Sequence, residues 1–215
     1  MVYKPNFINV AIDTLATGKK TMLRRHHTLE TEGKKLQSET ERLVLRPLQN
    51  EDYNRWFEGC RDRLPSQYKY DNNKIDLSGW TQQKFNEDVV SKFKGYADRD
   101  KVYVFGVFRK SDQKQVGKVE IETIIRDEFQ WGLLGYTIHN QFWRNGYGKE
   151  AVKEALNIAF KNLEFHRVEA HINIDNEPSL KLAKSVGMEF ECIRKGFIFE
   201  FDEWTDNIVY FMNSK

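Results

Sequence analysis

A short segment at positions 143–151, WRNGYGKEA, combines residue types that suit phosphate binding. Gly146 and Gly148 allow the backbone to approach a ligand closely and to adopt dihedral angles that other residues avoid. A helical pattern follows, and the free N–H groups and positive dipole end at the start of a helix attract anions. Arg144 and Lys149 add positive charge beside it. The segment therefore predicts a binding site for a phosphate or pyrophosphate group.

The same segment also fits the dinucleotide-binding pattern G-x-G-x-x-A, through Gly146, Gly148 and Ala151. That pattern normally opens a parallel βαβ domain, whereas here it follows three strands that the sequence predicts to be antiparallel. Only 64 residues follow Ala151. This context disfavours a dinucleotide-dependent oxidoreductase. A glycine-rich turn that binds no ligand stays open as the simpler alternative.

A second polar cluster lies at Asn176-Glu177-Pro178-Ser179, where a predicted strand ends and a helix begins. The side-chain amide of Asn176 can donate a hydrogen bond to a ligand that lies between strands, and the hydroxyl of Ser179 can donate a proton. Pro178 suits the first turn of a helix. The alternative is that Asn176 and Ser179 only cap this helix.

Two carboxylates, Glu120 and Glu122, alternate along one predicted strand and therefore share one face of the sheet. Either carboxylate could accept a proton, directly or through a water molecule. The competing interpretation is an ion-paired or solvated strand face. We expect no metal site, because no histidine or cysteine has companions at metal-ligand spacing.

Hydrophobic periodicity and turn residues divide the chain into strands and helices that would position these groups. Short polar separators at 111–114 and 126–128 predict that three consecutive strands pair as an antiparallel meander. The predicted strands are 42–48, 102–108, 116–125, 130–139, 166–174, 188–201 and 205–212, and the predicted helices are 51–60, 81–96, 146–163 and 176–187. This order predicts a mixed α+β fold around one sheet.

Residues 1–40 differ in composition from the remainder, with seven basic and four acidic side chains and few large apolar ones after Leu23. We predict a helical extension over 1–40 and one domain over 41–215. A solvated polar arm is the simpler interpretation of the extension, and a partner-binding element is the alternative.

Composition excludes several classes of protein. The formal charge of +2 disfavours a dedicated nucleic-acid binder. Two cysteines are too few for a disulfide framework, which favours a reducing compartment. No apolar run approaches the roughly 20 residues of a membrane-spanning helix, and the first residues lack the pattern of a secretory signal. A cytoplasmic protein that binds neither nucleic acid nor membranes is the resulting expectation.

Taken together, several segments resemble the GNAT superfamily of acetyl-CoA-dependent N-acetyltransferases. They are LGYTIH at 134–139, WRNGYGKEA at 143–151, HRVEA at 166–170, and NEPS at 176–179 followed by KSVGMEF at 184–190. The closing Trp204-Thr205-Asp206 with Tyr210 is similar to the branch of ribosomal-protein N-terminal acetyltransferases (RimJ/RimL type). The resemblance covers about residues 41–212, and it implies a mostly antiparallel sheet that splays at a cofactor slot, with helices on both faces.

The resemblance also implies roles for individual residues. Backbone amides of the 144–149 loop would hold the pyrophosphate of acetyl-CoA, the preceding strand would pair with its pantetheine arm, and Ser179 would take part in proton transfer. The implied cofactor-binding residues are Thr137, Ile138, His139, Arg144, Asn145, Gly146, Tyr147, Gly148, Lys149 and Asn176. Two positions depart from the family pattern: Ala183 replaces a tyrosine that acts as an acid, and Leu133 replaces a glutamate.

The implied reaction is direct attack of a neutral amine on acetyl-CoA in a ternary complex. A backbone amide near residues 136–138 would stabilise the developing oxyanion. Without a strong base, an α-amine with a pKa of about 7.7–8.0 is a better acceptor than a lysine at about 10.4. A protein N-terminus is therefore the expected acceptor. Small amines such as polyamines or aminoglycosides, a CoA-binding regulatory module without turnover, and a homodimer stay open.

Overall fold

The computed structural model describes residues 36–71 and 74–215, which build an eight-stranded sheet. The strands are β1 (Ser38–Glu39), β2 (Leu43–Arg46), β3 (Val102–Arg109), β4 (Gln115–Ile125), β5 (Trp131–Ile138), β6 (Arg167–Asn173), β7 (Glu189–Glu200) and β8 (Glu203–Asn213). Their order across the sheet is β1-β2-β3-β4-β5-β6-β8-β7. Strands that are consecutive in sequence thus lie side by side, except that β8 inserts between β6 and β7.

Every neighbouring pair of strands is antiparallel except β5 and β6. These two strands run parallel and pair only at their beginnings, where Trp131, Gly132 and Leu133 face Arg167, Val168 and Glu169. Beyond this apex, residues 134–138 of β5 and 170–173 of β6 have no partner across the space between them. We call this wedge-shaped space the gap. Its wide mouth lies where β5 and β6 end.

In the described part of the chain, four helices flank the sheet. They are α1 (Tyr53–Arg61), α2 (residues 82–97), α3 (Tyr147–Lys161) and α4 (Glu177–Ser185). Within α2, the central segment Asn86–Ser91 has the wider π-helical turn. Short 3-10 turns at Asn50–Asp52 and Asn140–Phe142 precede α1 and the loop that leads to α3.

Alternating residues of the central strands supply two hydrophobic cores, one on each face of the sheet. On the back face, Leu43 and Phe105 pack with Ala155 of α3 and Leu180 of α4. On the front face, α1 and α2 pack over the sheet through Trp56, Phe85, Val89 and their neighbours Leu48 and Phe108. Glu120 and Glu122 project from the front face, because their neighbours Val119 and Ile121 lie in the back-face core.

The structure confirms the mixed α+β class, the antiparallel meander β3-β4-β5, the splayed sheet and the helices on both faces. The predicted extension 1–40 lies almost entirely outside the described residues. Its last residues contain β1, which pairs with β2, so the sheet begins at Ser38, slightly before the predicted domain boundary. Within the described residues, none of the helices combines the length and apolar character needed to cross a membrane.

Candidate active site at the splayed strands

The predicted phosphate loop connects the end of β5 to the first turn of α3. The indole N–H of Trp143 donates to the carbonyl of Ile138 over 2.7 Å and fixes the start of the loop. Arg144 and Gly146 both adopt left-handed backbone conformations, with φ of +62° and +79°. The left-handed residue at 146 lets the chain turn sharply into α3, and only glycine adopts it without a steric penalty.

The first turn of α3 is open to an anion. Gly146 occupies the cap position, and among residues 36–71 and 74–215 no side chain caps the helix. Residues 144–146 and Lys149 are exposed, and the first N–H groups of a helix have no intrahelical partner. Arg42 lies alongside, donating to the carbonyl of Asn145 over 3.0 Å and pairing with Glu150 at 2.6 Å. This arrangement of amides and helix dipole fits a pyrophosphate.

Three of the predicted cofactor-binding residues turn their side chains away from this surface. The imidazole of His139 is buried against Gly59, and its amide donates to the carbonyl of Val116, so its side chain does not reach the surface of the loop. Burial lowers the pKa of His139 to about 4. The Asn145 amide donates to two carbonyls of its own loop, and the Tyr147 ring is buried. The last two residues can contribute only backbone groups.

Gly148 has a packing role that the spacing of the glycines did not indicate. A Cβ atom at this position would lie 2.9 Å from Leu182 Cδ1 and 3.6 Å from Ile138 Cγ1. The absence of a side chain therefore lets α3 approach α4 and the end of β5. By contrast, Lys149 is exposed on the first turn of α3, where its charge is available to a ligand.

Asn176 and Ser179 meet at the start of α4. The Oδ1 atom of Asn176 accepts from the Ser179 amide over 3.4 Å, so Asn176 caps the helix and keeps its N–H₂ group for another acceptor. Tyr136 reaches across from β5, and its hydroxyl donates to the Ser179 carbonyl over 3.4 Å. Burial raises the pKa of Tyr136 to about 12. Ala183 is fully enclosed, so α4 contributes no hydroxyl there.

On the front face, Glu120 leans over β5 beside the gap. It pairs across the strands with Gly135, and a Cβ atom on that glycine would lie 2.7 Å from Glu120 Oε1. Lys118 holds the other carboxylate oxygen at 2.7 Å, and Lys118 itself pairs across the strands with Thr137. Burial, together with the charge of Glu120, raises the pKa of the Glu122 carboxyl.

Sequence reasoning missed a polar cluster on β6 that shares this face. Glu169 and His171 are almost fully buried, and His171 Nε2 lies 2.8 Å from Glu169 Oε2. Arg167 and Arg194 lie 2.8 and 3.4 Å from the carboxylate oxygens of Glu169. The available signal was the alternation in RVEAHIN at 167–173, which places both residues opposite the apolar Val168, Ala170 and Ile172.

Residues 63–71 cross the mouth of the gap, and we call this segment the strap. Asn140, just after β5, bonds the backbone of Leu64 through both ends of its side-chain amide, over 2.7 and 2.9 Å. At the other side, the Tyr70 hydroxyl hydrogen-bonds to Asp175, just after β6. Between these points the Tyr68 ring stacks edge-on against Trp143, with 5.6 Å between centroids. The strap therefore forms one wall of the site.

Comparisons with known proteins agree with this geometry. The model of the acetyltransferase (GNAT) domain matches residues 42–189. The [ribosomal protein uS5]-alanine N-acetyltransferase of Escherichia coli is 22% identical over 179 residues, which are 81% of this chain and 89% of that protein.

Two solved structures share the fold. The ribosomal-protein-S5-alanine acetyltransferase from Vibrio fischeri superposes with a TM-score of 0.65 at 21% identity, covering 82% of this chain and 96% of that one. RimL, a ribosomal L7/L12 alpha-N-protein acetyltransferase in complex with coenzyme A, gives 0.62 at 13% identity, covering 81% and 95%. Because the family model matches well over half of the chain, this protein belongs to the GNAT family of acetyltransferases, whose members use acetyl-CoA as the acetyl donor.

Proposed function

We propose that this N-acetyltransferase modifies the N-terminal α-amine of a protein, with acetyl-CoA and the acceptor bound together. The α-amine is the acceptor indicated by the names of two proteins that it resembles, which act on a ribosomal-protein alanine and on a ribosomal protein's α-amine. The proposal for this chain depends on the charge balance of its own front face.

Two carboxylates beside the gap are already paired with cations. Glu120 has Lys118 at 2.7 Å, and Glu169 has Arg167 at 2.8 Å and Arg194 at 3.4 Å. A polyamine carries several positive charges and would need several unpaired carboxylates to replace its hydration. An α-amine brings at most one charge. The pairing of these carboxylates is the single observation that favours an α-amine over a polycation.

We propose that the pyrophosphate of acetyl-CoA rests on the amides at residues 145–149 and that the pantetheine lies along the unpaired edge of β5, near Thr137 and Ile138. Arg144 and Lys149 supply charge, and Asn176 offers its free N–H₂ group. Two features fit such a ligand: the uncapped start of α3 and the unpaired residues of the gap.

The acceptor amine would approach from the front face, where Glu120 lies over Gly135. A carboxylate there attracts the ammonium form and orients it toward the gap. A backbone amide of residues 136–138 would stabilise the developing negative charge on the acetyl oxygen. The Ser179 hydroxyl, at the start of α4, would deliver a proton to the departing sulfur. Most of the acceleration would come from holding amine and thioester in one geometry.

The test is release of free thiol from acetyl-CoA with three acceptor pools: peptides with free N-termini, polyamines and aminoglycosides. We expect turnover with the peptides, and mass spectrometry should place the acetyl group on the α-amine. The control is the same peptide with a blocked N-terminus and an internal lysine, which should not react. Turnover restricted to polyamines would overturn the proposed acceptor but leave the family assignment intact.

The cofactor site has a separate test. Replacing Lys149 with glutamate reverses the charge beside the proposed pyrophosphate, so Lys149→Glu should weaken acetyl-CoA binding at least about fivefold at low salt. Lys153→Glu, one turn further along α3 and also exposed, is the matched control. Equal affinities of the two variants by calorimetry would contradict the placement of the pyrophosphate.

A further inference from the structure

We infer that His171 is a catalytic residue: its Nδ1 atom accepts the proton that the acceptor ammonium must lose, and Glu169 holds the imidazole for this task. This inference rests on the proposed function, because it concerns the amine-binding side of the same gap. Nothing in the glycine loop or at the start of α4 supplies such a group.

The position of His171 follows from the strand register. Leu133 and Glu169 are the last paired residues of β5 and β6. Two residues further on, Gly135 and His171 therefore lie at corresponding levels on opposite sides of the gap, and their side-chain positions share the front face. Because Glu120 leans over Gly135, an amine placed at this level would have a carboxylate on one side and an imidazole on the other.

The tautomer of His171 follows from its neighbours. Nε2 lies 2.8 Å from Glu169 Oε2. Burial raises the pKa of Glu169, but hydrogen bonds from His171 and Arg167 outweigh burial and lower it, so the carboxylate is ionised and can only accept. The proton therefore sits on Nε2. Arg194 Nη1 also lies 3.4 Å from Nε2, and Arg194 Nη2 donates to the same carboxylate oxygen, Glu169 Oε2, over 3.4 Å.

This assignment leaves Nδ1 with a lone pair and no partner. Nδ1 is buried, and it makes no hydrogen bond within the described part of the chain. The two ring nitrogens lie on different sides of the imidazole, so Nδ1 does not face the Glu169 carboxylate that Nε2 contacts. A buried acceptor without a partner is costly unless a ligand or water satisfies it. An ammonium N–H is a suitable donor.

The charged groups around the imidazole balance the proton that it would receive. Glu169 lies on the same strand, Arg194 reaches in from β7, and Glu120 projects from the same face of the sheet on the other side of the gap. On gaining a proton the imidazole becomes a cation in contact with an ionised carboxylate, which is the arrangement that stabilises an imidazolium in other acyl-transfer enzymes. The Phe197 ring packs edge-on against it, with 5.3 Å between centroids, and keeps its plane fixed.

The proton balance is simple. The ammonium gives one proton to Nδ1, and that proton later passes to solvent. The neutral amine forms the carbon–nitrogen bond, the carbon–sulfur bond breaks, and the second amine proton ends on the sulfur as the thiol. Acetyl-CoA and an ammonium thus yield an amide, free coenzyme A and one proton, with no further reactant.

The expected effect depends on pH. With a pKa of about 7.7–8.0, roughly a tenth of an α-amine is neutral at pH 7 and nearly all of it at pH 9. His171→Gln should therefore lower kcat/KM for the peptide about tenfold at pH 7 and less than about twofold at pH 9. His166→Gln, at an exposed histidine bonded to Ser214, is the control and should match the wild type at both pH values.

A structural role for His171 would give the same loss at both pH values, and that result would overturn the inference. A second measurement does not depend on activity or on the variant: the ¹⁵N side-chain NMR spectrum of the wild type should show the Nε2–H tautomer of His171. The Nδ1–H tautomer would also overturn the inference, since Nδ1 would then lack a lone pair. If no peptide is acetylated, the proposed acceptor is wrong. The NMR measurement of the tautomer still tests the inference about His171 in that case.

Discussion

The strap should depend on one buried side chain, Asn140, whose replacement we predict to be among the most damaging changes near the site. Its Oδ1 accepts from the Leu64 amide over 2.7 Å. Its Nδ2 donates to the carbonyls of Leu64 and Pro65 over 2.9 and 3.2 Å, and to Asp71 Oδ2 over 2.9 Å. In Asn140→Ala the Leu64 amide and the Asp71 carboxylate both lose this partner.

The magnitude follows from these contacts. A hydrogen bond between neutral groups contributes about 0.5–1.5 kcal/mol, and one to a charged group about 1.5–3 kcal/mol. The weak contact to Pro65 adds little, and Asp71 keeps its ion pair with Arg63 at 2.7 Å. We therefore expect Asn140→Ala to lower the free energy of unfolding by about 2–4 kcal/mol. Asn140→Asp should cost at least as much, because it places a second carboxylate against Asp71.

Urea denaturation gives the stability. Hydrogen exchange of two amides reports on the strap itself: that of Leu64, and that of Gln67, which donates to Asp71 Oδ2 over 2.8 Å. Both amides should exchange faster in Asn140→Ala. Asn54→Ala, at an exposed position of α1, is the matched control and should change stability by no more than about 0.5 kcal/mol. A loss below about 1 kcal/mol in Asn140→Ala, with strap exchange unchanged, would refute the anchoring role.

Three further predictions concern the site and the stability. Gly135→Ala would place a Cβ atom 2.7 Å from Glu120 Oε1, so Glu120 must move, and kcat/KM should fall at least about tenfold with acetyl-CoA affinity unchanged; wild-type turnover would contradict the role of the glycine. Ser179→Ala should lower kcat with little change in acetyl-CoA affinity, and an unchanged kcat would reduce the serine to a helix residue. Burial raises the pKa of Asp52, but hydrogen bonds from Arg46 outweigh burial and lower it. The ionised Asp52 carboxylate should therefore contribute its full stabilisation to the fold above about pH 4 and lose it as the pH falls further. In Asp52→Asn the free energy of unfolding should consequently decrease less steeply below about pH 4.

The strands and helices of the domain followed from local patterns. Short polar turns predicted the meander β3-β4-β5, and the apolar stripe predicted α3, because both depend on residues close in sequence. The strap lies in residues 61–80, for which the sequence predicted neither a strand nor a helix. Its anchor joins Asn140 to Asp71, which are 69 positions apart, and no local period reports such a contact. Local patterns likewise did not predict that β8 lies between β6 and β7 in the sheet.

The site was predictable in outline but not atom by atom. Glycines and charges located the loop at 143–149, yet they did not reveal that His139 is buried or that Gly148 serves helix packing. Gly135 illustrates the reason. This glycine matters because the Glu120 side chain of the neighbouring strand β4 folds over it, and the sequence around Gly135 does not show that contact. His171 was overlooked because a single histidine in an alternating strand resembles an ordinary buried residue until its partner Glu169 is known.

The short pairing between β5 and β6 has a mechanical consequence. Three residue pairs join a five-stranded half-sheet, β1 to β5, to a three-stranded one, β6 with β8 and β7. Each half therefore presents an inner edge of unpaired backbone groups, as an edge strand does at the border of a sheet. The sheet is continuous between the two halves only at this apex, and an extended ligand in the gap would add backbone hydrogen bonds between them by acting as the missing strand.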